Sequence, residues 1–331
     1  MPAQRHTKSA RYAELNAGLL QDYKAFGSVP VTLNLGLRHE RVDPLYRSVA
    51  AMLQSDIERD GLDLGGNVDV VSVQLSAGRT DDNLDAIASL MTNRTRQSSA
   101  TLGAPLAALF RVTQDGAWLP TVTYAVQQMH QFGAGIPTGG NFTASDVPDQ
   151  VTVVQDAGAQ WQVQQWQLGY RLNLSTQDNR APGHELADFA AQTQAVTIGV
   201  MAGTALTLGL DLGLERQENK QAAQVNHVQK VGVTGNWRMT PVTTFDGSVT
   251  FSKTQDPGAG SDTHVSSVQA GIARGFNLWR NSSDTPRGQA FLRFSRYTND
   301  IYNLASSFAP PTQSNGMWSV TSGITLRLFQ E

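Results

Sequence analysis

The stretch Gly203–Asn219 reads GTALTLGLDLGLERQEN. Leu206, Leu208, Leu210, Leu212 and Leu214 hold every second position, with Thr207, Gly209, Asp211, Gly213 and Glu215 between them. A period of two puts the leucines on one face of a strand and the polar or small residues on the other. Any half-buried sheet could use that pattern. This run, however, is long beside the usual five or six residues, and the same alternation recurs along nearly the whole chain. Many long strands, apolar on one face and polar on the other, are what a bilayer asks of a closed barrel.

Composition agrees. The 331 residues contain no apolar run approaching the ~18 that a membrane helix needs. Mean hydropathy is slightly negative, but half of every barrel strand faces water and cancels the other half. Charged residues are only 16% of the chain, below the ~25% of soluble domains. Gln, Asn, Thr, Ser and Gly supply the polarity, and they suit a wetted lumen. A net charge of −3 gives no basic patch for nucleic acid. The absence of cysteine excludes disulfides and thiolate metal sites. The opening MPAQRHTKSARY is polar and is no secretory signal peptide.

Taken in order, the alternation predicts strands over Ala10–Leu20, Val29–Glu40, a weak one ending at Leu64, Val68–Arg79, and Thr92–Thr113 bent at Pro105. Trp118–Gln128, a short Val151–Gln155, Trp161–Thr176, Glu185–Ile198 and Gly203–Asn219 follow. Val225–Arg238, Thr243–Thr254, His264–Leu278, Gly288–Asp300 and Met317–Leu328 complete the set. Short helical turns are expected after Leu84, where Ile87, Ala88 and Met91 have helical spacing. Tight turns are expected at Gly65–Asn67, Asp115-Gly116, Asp156–Ala159, Val200–Ala202 and Thr240–Val242. Between them fall longer polar connections, among them Asp43–Asp56, Phe132–Asp149 and Gln177–His184; Trp279–Arg287 breaks the rule. Short turns at one end and long loops at the other are the habit of membrane barrels. A count of about fifteen is odd, whereas bacterial barrels use even numbers, so the expectation includes one or more missing N-terminal strands.

The last strand, Thr321-Ser322-Gly323-Ile324-Thr325-Leu326-Arg327-Leu328-Phe329, resembles the C-terminal assembly signal of Gram-negative outer-membrane β-barrel proteins of the porin kind. Thr321, Gly323, Leu326 and Leu328 match its polar, glycine and two apolar positions in register. Phe329 is the nearby aromatic, with Gln330 and Glu331 running past it. The resemblance implies the bacterial outer membrane as location, its lipid bilayer and the barrel-assembly machinery as partners, and envelope proteins as further partners. Trp118, Tyr124, Trp161, Trp166, Tyr170, Trp237, Trp279, Trp318 and Phe329 are read as interfacial girdles.

Chemical motifs are scarce. His184-Glu185-Leu186-Ala187-Asp188 lacks the second histidine of a zinc protease helix, no Gly-x-Ser-x-Gly elbow occurs, and the six histidines show no ligand spacing. No enzyme, cofactor or metal is expected. The acidic loops at Asp81, Asp82, Asn83 and Asp85, and at Asp256 with Asp262, read as solvated turns and not calcium sites. By parity the lumen carries Arg38, Glu40, Asp69, Arg171, Asp211, Glu215, Lys230, Arg238, Arg293 and Arg327. Such charges either line a water-filled channel or pair to brace the interior; the excess of cations points to an anion-tolerant lumen.

The expected architecture is all-β: a transmembrane antiparallel up-and-down β-barrel of about 14–16 strands. A polar segment over residues 1–9 precedes one barrel domain over residues 10–329. The expected role is a porin-like channel or translocating barrel. A non-conducting anchor or assembly scaffold, and more distantly a soluble carbohydrate-binding sandwich, stand as alternatives.

Overall fold

The computed structural model describes residues 8–25, 27–46, 54–112, 118–184, 187–276, 288–303 and 313–326. Fifteen strands run along it: β1 (Ala10–Ala25), β2 (Val29–Val42), β3 (Ile57–Val68), β4 (Val71–Asp82), β5 (Asn93–Pro105), β6 (Thr121–Gly133), β7 (Asp149–Val163) and β8 (Trp166–Asn179). Then come β9 (Phe189–Ala202), β10 (Leu206–Asn219), β11 (Gln224–Thr240), β12 (Thr243–Asp256), β13 (Ser261–Phe276), β14 (Gly288–Asn303) and β15 (Gln313–Leu326). They form one up-and-down sheet in sequence order, from β1 to β15. Among the described residues no helix is long and apolar enough to cross a membrane; the crossing elements are the strands.

Packing divides the chain into two units, Met1–Gly158 with Asn173–Ala191 and Asn219–Gln221, and Ala159–Leu172 with Gln192–Glu218 and Ala222–Glu331. In the first, register fixes the faces, because residues directly opposite on antiparallel strands share a side. Leu15 faces Leu37, Leu37 faces Leu62, Leu64 faces Leu75, and Leu102 faces Tyr124. In the second, Val233 faces Val249 and Val249 faces Val268, while Trp237, Phe245, Ile272 and Leu292 make one row. Each unit therefore carries a continuous apolar face.

That face is uncovered. Among the described residues the buried apolar side chains are only Val42, Ile57, Ala104, Val151 and Ala181, whereas Leu15 is 56% and Leu214 58% exposed. An apolar surface of this extent is not tolerated in water; lipid is its natural cover. Trp166 and Trp237 stand on this side at the short-turn ends of their strands, as a girdle would, whereas Trp318 falls inside β15. Trp279 and Phe329 lie outside the described residues.

The connections are two-sided. Odd-to-even connections are short at residues 69–70, 164–165, 203–205 and 241–242 but long after β5, and even-to-odd ones are long at residues 83–92, 134–148 and 180–188 but only four residues at 220–223 and 257–260, where longer loops were expected. Several expected turns move. Gly65–Asn67 continues β3, and the reversal comes at Asp69, whose φ of 55° is one that aspartate tolerates. Asp69 is thus a turn residue and not a lumen one. Asp156–Ala159 lies within β7, and the turn falls at Gln164 (φ 53°). Val200–Ala202 ends β9, before the turn at Gly203 (φ 63°). The segment after Leu84 forms plain turns, with the Asn83 side chain accepting from the Ile87 N–H at 2.8 Å. Pro105 ends β5 outright and a single helical turn, α1 (Leu106–Leu109), follows it. Asp115-Gly116 lies outside the described residues.

Candidate functional site

The face opposite the leucines is polar from strand to strand. In the second unit Lys230 faces Ser252, Thr234 faces Ser248, Asn236 faces Asp246, and Arg238 faces Thr244. Asp246 and Arg293 are both register neighbours of Gly271. A Cβ at Gly271 would sit 2.8 Å from the Asp246 carboxylate oxygens, so only glycine leaves that carboxylate room. A cavity of about 300 Å³ on this face is lined by Asp246, Gln269, Arg293, Ser295, Ser319 and Thr321. Arg293 lies over the Phe291 ring at 5.3 Å, and Phe291 in turn covers Gly323, with a Cβ there meeting the ring at 2.7 Å.

On β10, Glu215 accepts a bond from the Lys230 ammonium at 3.1 Å. Glycine lets the two strands approach here: Gly213 lies against the Lys230 stem and Gly232 against Asp211. Asp211 and Glu215 are therefore on the polar face, and Leu208, which packs beside Gly235, is on the apolar one.

In the first unit the same face carries Glu14 opposite Arg38, and Glu40 opposite Arg59. Glu40 pairs with Arg59 at 3.5 Å. Glu14 accepts bonds from the Tyr12 hydroxyl and from Asn16. Asp63 lies opposite Gly36 and Ser76. Serine, threonine and glutamine fill much of β4 and β5, for example Ser76 bonded to Ser99 at 2.7 Å.

Of the residues expected in the lumen, Arg38, Glu40, Asp211, Glu215, Lys230, Arg238 and Arg293 thus fall on the polar face. Arg171 has the parity of Gly169, which abuts Thr197. Arg327 lies outside the described residues, as do Leu328 and Phe329 of the terminal signal; Thr321, Gly323 and Leu326 lie in β15. Parity of the apolar pattern alone missed Glu14, Arg59, Asp63 and Asp246, which register brings to the same face. Among the described residues these additions bring further carboxylates beside the expected cations, Glu14 and Asp63 in the first unit and Asp246 in the second. Arg38, Arg238, Arg293, Asp63, Asp211 and Asp246 make no ion pair among the described residues, in contrast to Glu215 with Lys230.

The long-loop end is braced by carboxylates. Asp188 accepts from the Asn179 N–H and from the Lys220 ammonium, both at 2.9 Å. The backbone bond, then Lys220, holds its carboxyl below the ordinary aspartate range. A depressed carboxyl stabilises above its unfolded-state pKa, and that contribution is lost as pH falls through the lower folded value. Hydrogen exchange at the Asn179 amide should therefore be slow at neutral pH and lose protection on acidification below the usual aspartate range. Asp188→Ala should lose it at neutral pH. Asp43 is held low in the same way by the N–H and hydroxyl of Ser9.

The acidic loops spend their carboxylates internally. Asp82 bonds Asn93, Asp81 pairs with Arg79 and Arg94, Asp85 with Lys8, and Asp262 with Lys253. Two histidine–carboxylate pairs were invisible to sequence spacing. His39 Nδ1 lies 2.8 Å from Asp60, with Glu58 close by, and His130 Nε2 lies 2.7 Å from Asp149. In the His184–Asp188 stretch, His184 lies in a turn and Glu185 is outside the described residues.

Long antiparallel strands in one up-and-down sheet, with an uncovered apolar face and a polar face bearing charges, are the architecture of a membrane-spanning β-barrel. No family model and no curated protein matches the chain. Among solved structures, it is similar to OmpT of Vibrio cholerae, an outer-membrane protein folded in vitro, in its trimer form. The identity is 11%, covering 96% of this chain and 98% of that one, with a TM-score of 0.38. The loop L8 deletion mutant of OmpT gives 9% identity, 96% and 99% coverage and a TM-score of 0.36. Likeness at this level concerns architecture alone.

The exclusion of an enzyme is corrected. The similar structures carry the name OmpT, and fold alone does not fix function. The His39–Asp60 and His130–Asp149 pairs are also of a kind that motif spacing cannot exclude.

Proposed function

We propose that the chain forms one barrel domain over residues 10–329 that acts as a water-filled diffusion channel for small polar solutes in the outer membrane. One observation carries this reading: Arg38 and Asp63 on the polar face of the first unit, and Arg238, Arg293, Asp211 and Asp246 on that of the second, have no ion-pair partners among the described residues. Charges left unpaired in a dry interior are costly, whereas in water they are not. A bracing network would have paired them.

Purified folded protein in a planar bilayer should give stepwise ohmic conductance. A heat-modifiable, folded protein that never conducts would instead support the scaffold reading. The balance of charge on this face predicts a reversal potential close to zero in a salt gradient. Asp246→Asn and Asp63→Asn together should shift it toward anion preference, because the cations opposite them are left in excess. A strong anion preference in the unaltered protein would contradict the balanced face.

A further inference from the structure

The apolar face of the first unit ends abruptly at the long-loop end. Above the Leu15, Leu37 and Leu62 row, the same side turns polar from His39 on β2 to Arg96 on β5, and one row further up it is charged on all five strands from Arg11 to Arg94. Two features of that band are unusual. Arg11 on β1 stands directly opposite Arg41 on β2, and Arg79 on β4 directly opposite Arg96 on β5. Opposed like charges on antiparallel neighbours are destabilising, and here the arrangement occurs twice, in adjacent rows of the same side.

Carboxylates neutralise only one arginine of each pair. Arg41 is held by Glu58 at 3.0 Å and by Asp43 at 3.7 Å. Arg79 pairs with Asp81, which also meets Arg94 at 3.6 Å, and Asp60 is its register neighbour on β3. Arg11 makes no ion pair among the described residues, and Arg96 lies over the Phe132 ring at 5.3 Å with no carboxylate partner among them. Each pair thus leaves one guanidinium over, exposed, on the side that faces lipid.

We infer that the Arg11–Arg41 and Arg79–Arg96 pairs bind the phosphate groups of phosphorylated lipids in the outer leaflet. A phosphate between two guanidiniums converts their repulsion into attraction, and the planar fork of arginine fits phosphate oxygens bidentately. The level suits a headgroup and not a diffusing solute, because the pairs sit at the upper edge of the leucine band and away from the polar face. This inference rests on the membrane-barrel reading above.

The test uses the full-length folded protein and phosphatidylcholine vesicles that carry a minor fraction of a bisphosphorylated glycolipid, or the same glycolipid dephosphorylated. Preference for the phosphorylated vesicles should be about tenfold. It should vanish in the variant Arg11→Gln, Arg41→Gln, Arg79→Gln, Arg96→Gln. Replacing the same four by lysine should restore charge but recover the preference only in part. Equal binding to both vesicles, or an unchanged preference in the glutamine variant, would overturn the inference. Saturation of the effect by inorganic phosphate alone would overturn its assignment to lipid. Gel mobility that shifts on heating, read in every sample, reports the barrel separately; loss of that shift in the unaltered protein would indict the membrane reading instead.

Discussion

Leu210→Arg should cost about 2–4 kcal/mol of stability, the penalty for arginine on the lipid side near the bilayer midplane. Leu210 follows Leu208, which packs beside Gly235 in the apolar row, and its neighbour Asp211 lies against Gly232 on the other side. Asp211→Asn should therefore leave stability nearly unchanged, since its carboxylate makes no ion pair among the described residues. Denaturant unfolding of both variants in lipid vesicles gives the comparison. Equal small losses would reverse the assignment of faces and, with it, the reading of every charge placed in the lumen.

Gly323→Val should destabilise by about 1–3 kcal/mol, the range for forcing a side chain into an occupied space. The first added carbon would already lie 2.7 Å from the Phe291 ring. Covering a strand glycine with a neighbouring aromatic is a recurrent way of pinning register, and here Arg293 lies over that ring at 5.3 Å. Displacing Phe291 moves Arg293 with it, so the variant should also change conductance. Phe291→Ala in the same background should recover part of the loss in an unfolding titration. A Gly323→Val protein as stable as the original would show that the ring is not fixed over the glycine. The physical reason for glycine at this place in the assembly signal is then visible: it is the seat of an aromatic from the preceding strand.

How far the sequence could be read depended on which contacts set each feature. The strands were legible because Leu206 to Leu214, or Val31 to Leu37, alternate within a few residues of one another. Their upper ends were not, because the polar His39 and Arg41 stand on the apolar side, and the pattern that marks a strand stops before the strand does. Asp156-Ala157-Gly158-Ala159 has turn composition but lies inside β7, where neighbouring ladders override local preference. Gly65-Gly66 misled for the same reason. The polar face was only half legible. Asp246 flanks Arg293 across Gly271, and Arg79 meets Arg96, solely because of the register between neighbouring strands, which no local pattern in either strand records.

The apolar face of β2 runs from Val29 to Leu37 before His39 interrupts it. At about 3.3 Å per residue and a tilt of about 35–45°, that run measures roughly 20 Å along the membrane normal. A slab this thin matches short acyl chains. In thicker lipid the His39–Asp60 and Arg79–Arg96 rows would be drawn below the headgroups, at a cost that grows with every ångström of mismatch. The protein carries, in the apolar run from Val29 to Leu37, a gauge of the bilayer it was shaped to occupy.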